Sequence, residues 1–141
     1  MRFLATALTL TAALAFGSAS ASDASTDPRP PLRDVPQIDG PMLWVAMAIE
    51  ISDKCPEIDP RNLKGLLVLH DLRGKALDLG YTKDEIEDYA TSKQEKARMR
   101  ELGEQYVKSQ GLDPEKTADL CMLGKTEIAR NSQIGVLLKA K

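Results

Sequence analysis

Residues 42–49 contain no charged side chain, and a helix-starting signal precedes them while a helix-stopping one follows. Asp39 offers a side-chain cap, and Pro41 falls in a first turn, where a missing N–H costs nothing. Cys55-Pro56 stops the helix, because the residue before proline avoids the α region. The spacing predicts a helix over residues 40–54. At 100° per residue Met42, Val45, Ala46 and Ile49 share one side, and Trp44, Met47, Ile51 and Cys55 share another. A helix apolar on both sides lies between two partners or presents one side to a binding surface. A chain built round it therefore needs several further covering segments.

A second helix of the same kind follows. Asp59-Pro60 reads as its start and Gly80 as its C-terminal glycine. One stripe joins Leu63, Leu66, Leu67, His70, Gly74 and Leu77; another joins Val68, Leu69, Leu72, Ala76 and Leu79. Lys64, Asp71, Lys75 and Asp78 occupy the edge between them. Gly65 and Gly74 each cost about 1 kcal/mol against alanine in a helix, and close approach of a neighbouring helix is the natural compensation.

Two capping boxes come next, Thr82 with Glu85 and Ser92 with Glu95. They open a short helix to about Ala90 and a longer one to Gln110, closed by Gly111. Asp113-Pro114 or Thr117 starts a last helical region in which Cys121, Gly124 and Ile128 share a face. Asn131-Ser132 marks a kink, with residues 133–138 continuing the helix. No segment alternates with period two over strand length. The expectation is all-α: a small orthogonal array of four to six helices, spanning residues 37–141 as a single domain.

The N-terminus has the three parts of a secretory signal. Arg2 is followed by an apolar run over residues 3–16 and by the small-x-small site Ala19-Ser20-Ala21. Cleavage is expected after Ala21, leaving no membrane span in the mature chain, since the run is shorter than the roughly 18–20 residues that cross a bilayer. Residues 22–36 hold Pro28, Pro30, Pro31 and Pro36 and no hydrophobic period, so they read as an extended, poorly ordered tail. An exported chain meets an oxidising compartment, and its only two cysteines are Cys55 and Cys121. A disulfide between them is expected; two buried free thiols are the alternative. Closing so long a loop stabilises the fold by roughly 4 kcal/mol in the chain-entropy account.

The chemical inventory is thin. Without Arg2, 18 basic side chains stand against 21 acidic ones, which argues against a nucleic-acid partner. His70 is the only histidine, so a histidine-rich metal site has no ligands; packing within its leucine stripe is its expected role. Cys-x-x-Cys-His is absent, and two distant cysteines cannot hold an iron–sulfur cluster. No Gly-x-Ser-x-Gly elbow occurs. No cofactor, metal or catalytic residue is assigned.

Several ordered pieces carry a resemblance. Pro31-Leu32-Arg33 leads into the first helix, and Gly80-Tyr81-Thr82 precedes an acidic one. Residues 95–100 (Glu-Lys-Ala-Arg-Met-Arg) are followed by Gly103-Glu104. Residues 121–124 precede Glu127-Ile128-Ala129-Arg130 and Ser132-Gln133-Ile134-Gly135. Together they resemble the exported bacterial family called domain of unknown function 5333, over about residues 31–138. The resemblance implies a periplasmic helical domain of a Gram-negative bacterium with paired cysteines. It transfers no catalytic residue.

The functional expectation is a non-enzymatic periplasmic interaction or accessory module, contacting another periplasmic or membrane-associated protein. Its oligomeric state is left open. Trp44, Met47 and Ile51 either form its interface or fill the core of the bundle. The alternative is a small enzyme or ligand carrier with a polar pocket near His70 or the Glu50 and Asp53 carboxylates.

Overall fold

The computed structural model describes residues 28–141. The expected signal peptide and residues 22–27 of the expected tail lie outside that range. The described chain is mainly helical, with five α-helices and one two-stranded sheet.

Helix α1, Pro36–Lys54, begins earlier than expected. Pro36 occupies its first turn and Val35 its N-cap, with no side-chain cap. Asp39 is therefore not the cap. It lies one turn inside, where its carboxylate accepts from the Tyr89 hydroxyl at 2.6 Å and from the Arg98 guanidinium. Burial, then this hydrogen bond, pushes the Tyr89 phenol well above its ordinary range. The helix ends where Cys55 turns extended ahead of Pro56.

Strand β1, Ile58–Pro60, replaces the expected start of the second helix. It pairs antiparallel with β2, Leu138–Ala140, setting Ile58 against Ala140 and Pro60 against Leu138. Three-residue strands are too short to show a period, which is why alternation does not reveal them. Ile58 and Leu138 are anchored in the core. Helix α2, Asn62–Asp78, follows, and Gly80 at φ +92° turns the chain away.

The box opening α3, Lys83–Thr91, is complete: Glu85 N donates to the Thr82 hydroxyl at 3.2 Å, and Thr82 N donates to the Glu85 carboxylate at 2.6 Å. The box opening α4, Lys93–Ser109, is half formed. Ser92 accepts from Glu95 N at 3.2 Å, but the buried Glu95 carboxylate takes Arg33 and the Arg98 Nε (2.8 Å) instead of its own cap. Helix α5, Thr117–Ala129, ends before Asn131 at φ +50°. The chain then forms a 3-10 turn, Gly135–Leu137, and β2 rather than continuing as a helix.

The main core gathers Val45, Met47, Ala48 and Ile51 of α1 with Val107 of α4, Leu120 and Leu123 of α5, and Ile134, Leu137 and Leu138 of the C-terminal segment. A second core joins Leu32, Val35 and Ile38 to Leu72, Ala76 and Tyr81. This corrects the tail expectation for residues 29–36. Leu32 and Val35 are buried, Arg29 lies over the Tyr81 ring, and the Tyr81 hydroxyl donates to the Pro30 carbonyl at 2.5 Å. Prolines there shape a packed strap instead of an unordered one. Cys55 and Cys121, both buried, are joined as a disulfide with Cα atoms 5.2 Å apart, tying the end of α1 to α5.

Candidate functional site

The two stripes of α2 meet different fates. Leu72 and Ala76 are buried, with Val68 and Leu69 half-buried beside them, against α1 and the second core, while Leu79 past the helix end is exposed. The opposite stripe faces solvent: Leu63 is 71% exposed, Leu66 64%, Leu67 60% and Leu77 39%. His70 lies in the middle of it and is exposed too, so it is not the packing residue expected. These positions fall within about 100° of helix circumference, the width of a stripe that normally meets a core.

The glycines of α2 reinforce the point. A Cβ built at Gly65 or Gly74 would meet nothing within 4 Å. The close helix approach expected at both is absent among the described residues. Gly74 lies on the exposed stripe as a shallow gap between His70 and Leu77.

Helix α1 behaves oppositely. Met47 and Ile51 are buried, and Trp44 is half-buried with its ring edge-on to Tyr106 at 5.4 Å between centroids. Their candidacy as an interface is corrected for Met47 and Ile51, and the reason is two glycines on the covering helices. A Cβ at Gly103 of α4 would lie 2.7 Å from Met47 Sδ, and one at Gly124 of α5 would lie 2.6 Å from Ile51 Cγ2. Glycine lets both helices close over α1. Behind Tyr106, the fully buried Glu127 accepts the Tyr106 hydroxyl at 2.7 Å, with Arg130 at 3.8 Å and no partner on Oε2 among the described residues.

A groove of about 1150 Å³ runs beside α2. Its floor is Met42, Val45 and Ile49 of α1; Leu69 and Leu72 of α2, Ile86 of α3 and Met99 of α4 line its sides. His70 and Glu50 both reach it, whereas Asp53 does not line it. Most of the exposed lining is apolar, while His70, Glu50, Arg73, Lys96, Arg100 and Glu104 also line it, so a pocket does lie beside His70 and Glu50, of mixed character. Glu50 is paired with Lys54 at 2.7 Å, and Asp53 is exposed. Among the described residues no three His, Cys, Asp or Glu side chains come together as metal ligands would, and no helix is long and apolar enough to cross a membrane.

A family model described as a family of unknown function, DUF5333, matches residues 30–139. The chain belongs to this family. The match to DUF5333 runs from Pro30, in the strap that packs on Tyr81, to Lys139 of β2, and so takes in all five helices and the disulfide. No curated protein and no solved structure matches the chain.

Leu63, Leu66 and Leu67 belong to one of the two apolar stripes legible in the sequence, and the structure leaves that stripe exposed. One signal separates the two stripes. The exposed one contains a histidine, while the buried one contains only Val, Leu and Ala.

Proposed function

We propose that the protein is an exported, non-enzymatic interaction module, processed after Ala21 and working in the periplasm. The observation that carries the docking role is the exposed leucine face of α2. Monomeric proteins seldom leave contiguous apolar patches beyond a few hundred Å², and such patches are typically where another macromolecule binds. Export is supported by the signal-like residues 1–21 and by a cysteine pair placed for bonding, which an oxidising compartment maintains.

Two measurements test this. Mass spectrometry of the periplasmic fraction should find a chain beginning at Ser22 with no free thiol; an intact Met1 or two free thiols would sink the export reading. A photo-crosslinking residue at Leu66 should give a discrete adduct in cells, while the same probe at the exposed Gln105 of α4 should not. Equal, diffuse labelling at both positions would remove the docking role.

The groove supports a second reading, a carrier of a small apolar ligand. Its volume slightly exceeds the roughly 300–1,000 Å³ of ordinary ligand sites, and its lining is of the right character. Solvent extraction of freshly purified protein, followed by mass spectrometry, would reveal a stoichiometric lipid-like molecule if this reading holds. Recovery of none would reject it.

A further inference from the structure

We infer that the groove beside α2 holds a single-chain amphiphile with an anionic head. Its acyl chain lies along α1, and its head sits at the lip between Arg73 of α2 and Lys96 and Arg100 of α4. The inference rests on reading the groove as a ligand site and names the class of ligand.

The floor sets the tail. Helices α2 and α4 both pack on α1, and the groove has α1 as its floor and these two helices as walls. Ile38, Met42, Val45 and Ile49 follow one another three or four residues apart along α1, so they form one continuous apolar strip. From Ile38 to Ile49 the strip rises about 16 Å, at roughly 1.5 Å per residue. An extended alkyl chain, with bonds of about 1.5 Å, covers that length with roughly 12–14 carbons. Met42, Met47 and Met99 line the same space. Flexible thioether side chains adapt to a bending chain better than to a rigid ring. Ile49, 52% exposed, gives the end of the strip an apolar surface for such a tail to cover.

The lip sets the head. Most carboxylates of the groove are already paired. Glu50 has Lys54 at 2.7 Å, Glu95 accepts from Arg33 and Arg98, and Glu104 has Lys108 at 3.9 Å. Lys83 and Glu87 stand one turn apart on α3, with no net charge between them. That leaves Arg73, Lys96 and Arg100 against the single carboxylate of Glu115. All three cations are exposed, and none has an ion-pair partner among the described residues. Lys96 and Arg100, four residues apart, share a side of α4, and Arg73 stands on the other wall. The lip is therefore net positive in a chain whose overall charge is -2. A guanidinium grips a carboxylate or a phosphate through two parallel N–H bonds, which a cationic head cannot accept and a hydroxyl replaces only weakly. An apolar floor below unpaired cations thus selects an anionic amphiphile over a wholly apolar ligand.

Titration calorimetry of the purified oxidised protein with tetradecanoate, kept below micelle-forming concentrations, should show saturable binding of one molecule per chain. Combining Arg73→Gln, Lys96→Gln and Arg100→Gln should weaken it by about tenfold or more. These exposed substitutions leave the fold intact, which circular dichroism verifies. Lys64→Gln, at an exposed α2 cation outside the groove, should change nothing. Ile49→Glu should weaken binding as strongly as the triple variant, by placing a charge where the tail lies. Affinity should climb from octanoate to tetradecanoate as more of the strip is covered. Comparing tetradecanoate with tetradecanoyl lysophosphatidate shows whether the head comes from a fatty acid or a phospholipid; tight binding of either, lost in the triple variant, supports the inference. Tetradecanol bound as tightly as tetradecanoate, or a triple variant that binds unchanged, would overturn the anionic head and leave the groove an apolar-ligand site. No saturable binding of any of these three probes would overturn the inference and the carrier reading together.

Discussion

Helices α1 and α2 are alike in sequence and opposite in outcome. Each has two apolar sides. The first is packed on by α2, α4, α5 and the C-terminal segment, which bury Met47 and Ile51, while Ile49 on its other side stays 52% exposed at the groove. The second is covered by α1, α3 and the N-terminal strap along one side and left bare along the other. The difference lies in what the neighbours allow. Gly103 and Gly124 have no side chain to hold α4 and α5 away from α1, so backbone and side chain close directly. No segment in the described chain offers the same to Leu63, Leu66 and Leu67. Amphipathic period tells which residues share a side, but only the supply of covering elements tells whether that side is inside.

The largest effect on the enclosed helix is expected of Ile51→Ala. Ile51 is fully buried under Gly124, and nearby Ile58 also packs there, so truncation leaves a cavity that the disulfide-tied end of α1 cannot easily collapse into. A loss of about 2–5 kcal/mol is expected, read from the midpoint of urea unfolding. A loss below about 1 kcal/mol would mean that α1 is not the enclosed helix.

Next in size is Tyr106→Phe. The ring keeps its edge contact with Trp44, so the substitution isolates the hydroxyl that donates to Glu127. Without it the buried carboxylate keeps, among the described residues, the Arg130 guanidinium at 3.8 Å. Leaving a buried charged acceptor unsatisfied costs about 1–3 kcal/mol, or more. Burial, and then the bond to Glu127, raise the Tyr106 pKa, so the neutral phenol is the form the fold favours. That contribution is present below the ordinary tyrosine range and is lost as pH rises through the raised value. Urea midpoints of the wild type and of Tyr106→Phe should therefore converge in strong alkali. A constant gap would show that the hydroxyl does not carry the difference.

Much of the fold was legible where local chemistry is decisive. The Thr82–Glu85 box, the glycines after α2 and α4 and the proline that ends α1 each mark a boundary through a few neighbouring atoms. What was not legible depends on distant partners. Residues 58–60 form a strand only because residues 138–140 return to them. Asp39 looks like a cap until Tyr89 and Arg98 arrive from α3 and α4. The candidate site failed to show for the same reason. Two leucine-rich stripes on one helix are equivalent until the neighbours choose between them, and His70 was the single hint of which would stay wet.

Gly74→Ala should stabilise the bare helix. An interior helical glycine is about 1 kcal/mol less favourable than alanine, and the new methyl group meets open space within one chain. Dilute protein should gain about 0.5–1 kcal/mol in urea unfolding. The matching substitution at Gly124 should destabilise, because its Cβ would lie 2.5 Å from Ile58 Cδ1. If both substitutions had the same sign, the contrast between a bare α2 face and an enclosed α1 would fail.

The smallest effect is expected where intuition about leucine would expect a large one. Leu66→Ala removes as many side-chain carbons as a core truncation that costs several kcal/mol. At Leu66 most of that side chain is already in water, so folding transfers little of it and truncation leaves no cavity. Surface substitutions of this kind stay within about ±0.5 kcal/mol. Alanine's slightly better helix propensity offsets part of any lost contact. A loss above about 1.5 kcal/mol in dilute protein would place Leu66 in a core, and α2 would join α1 as an enclosed helix.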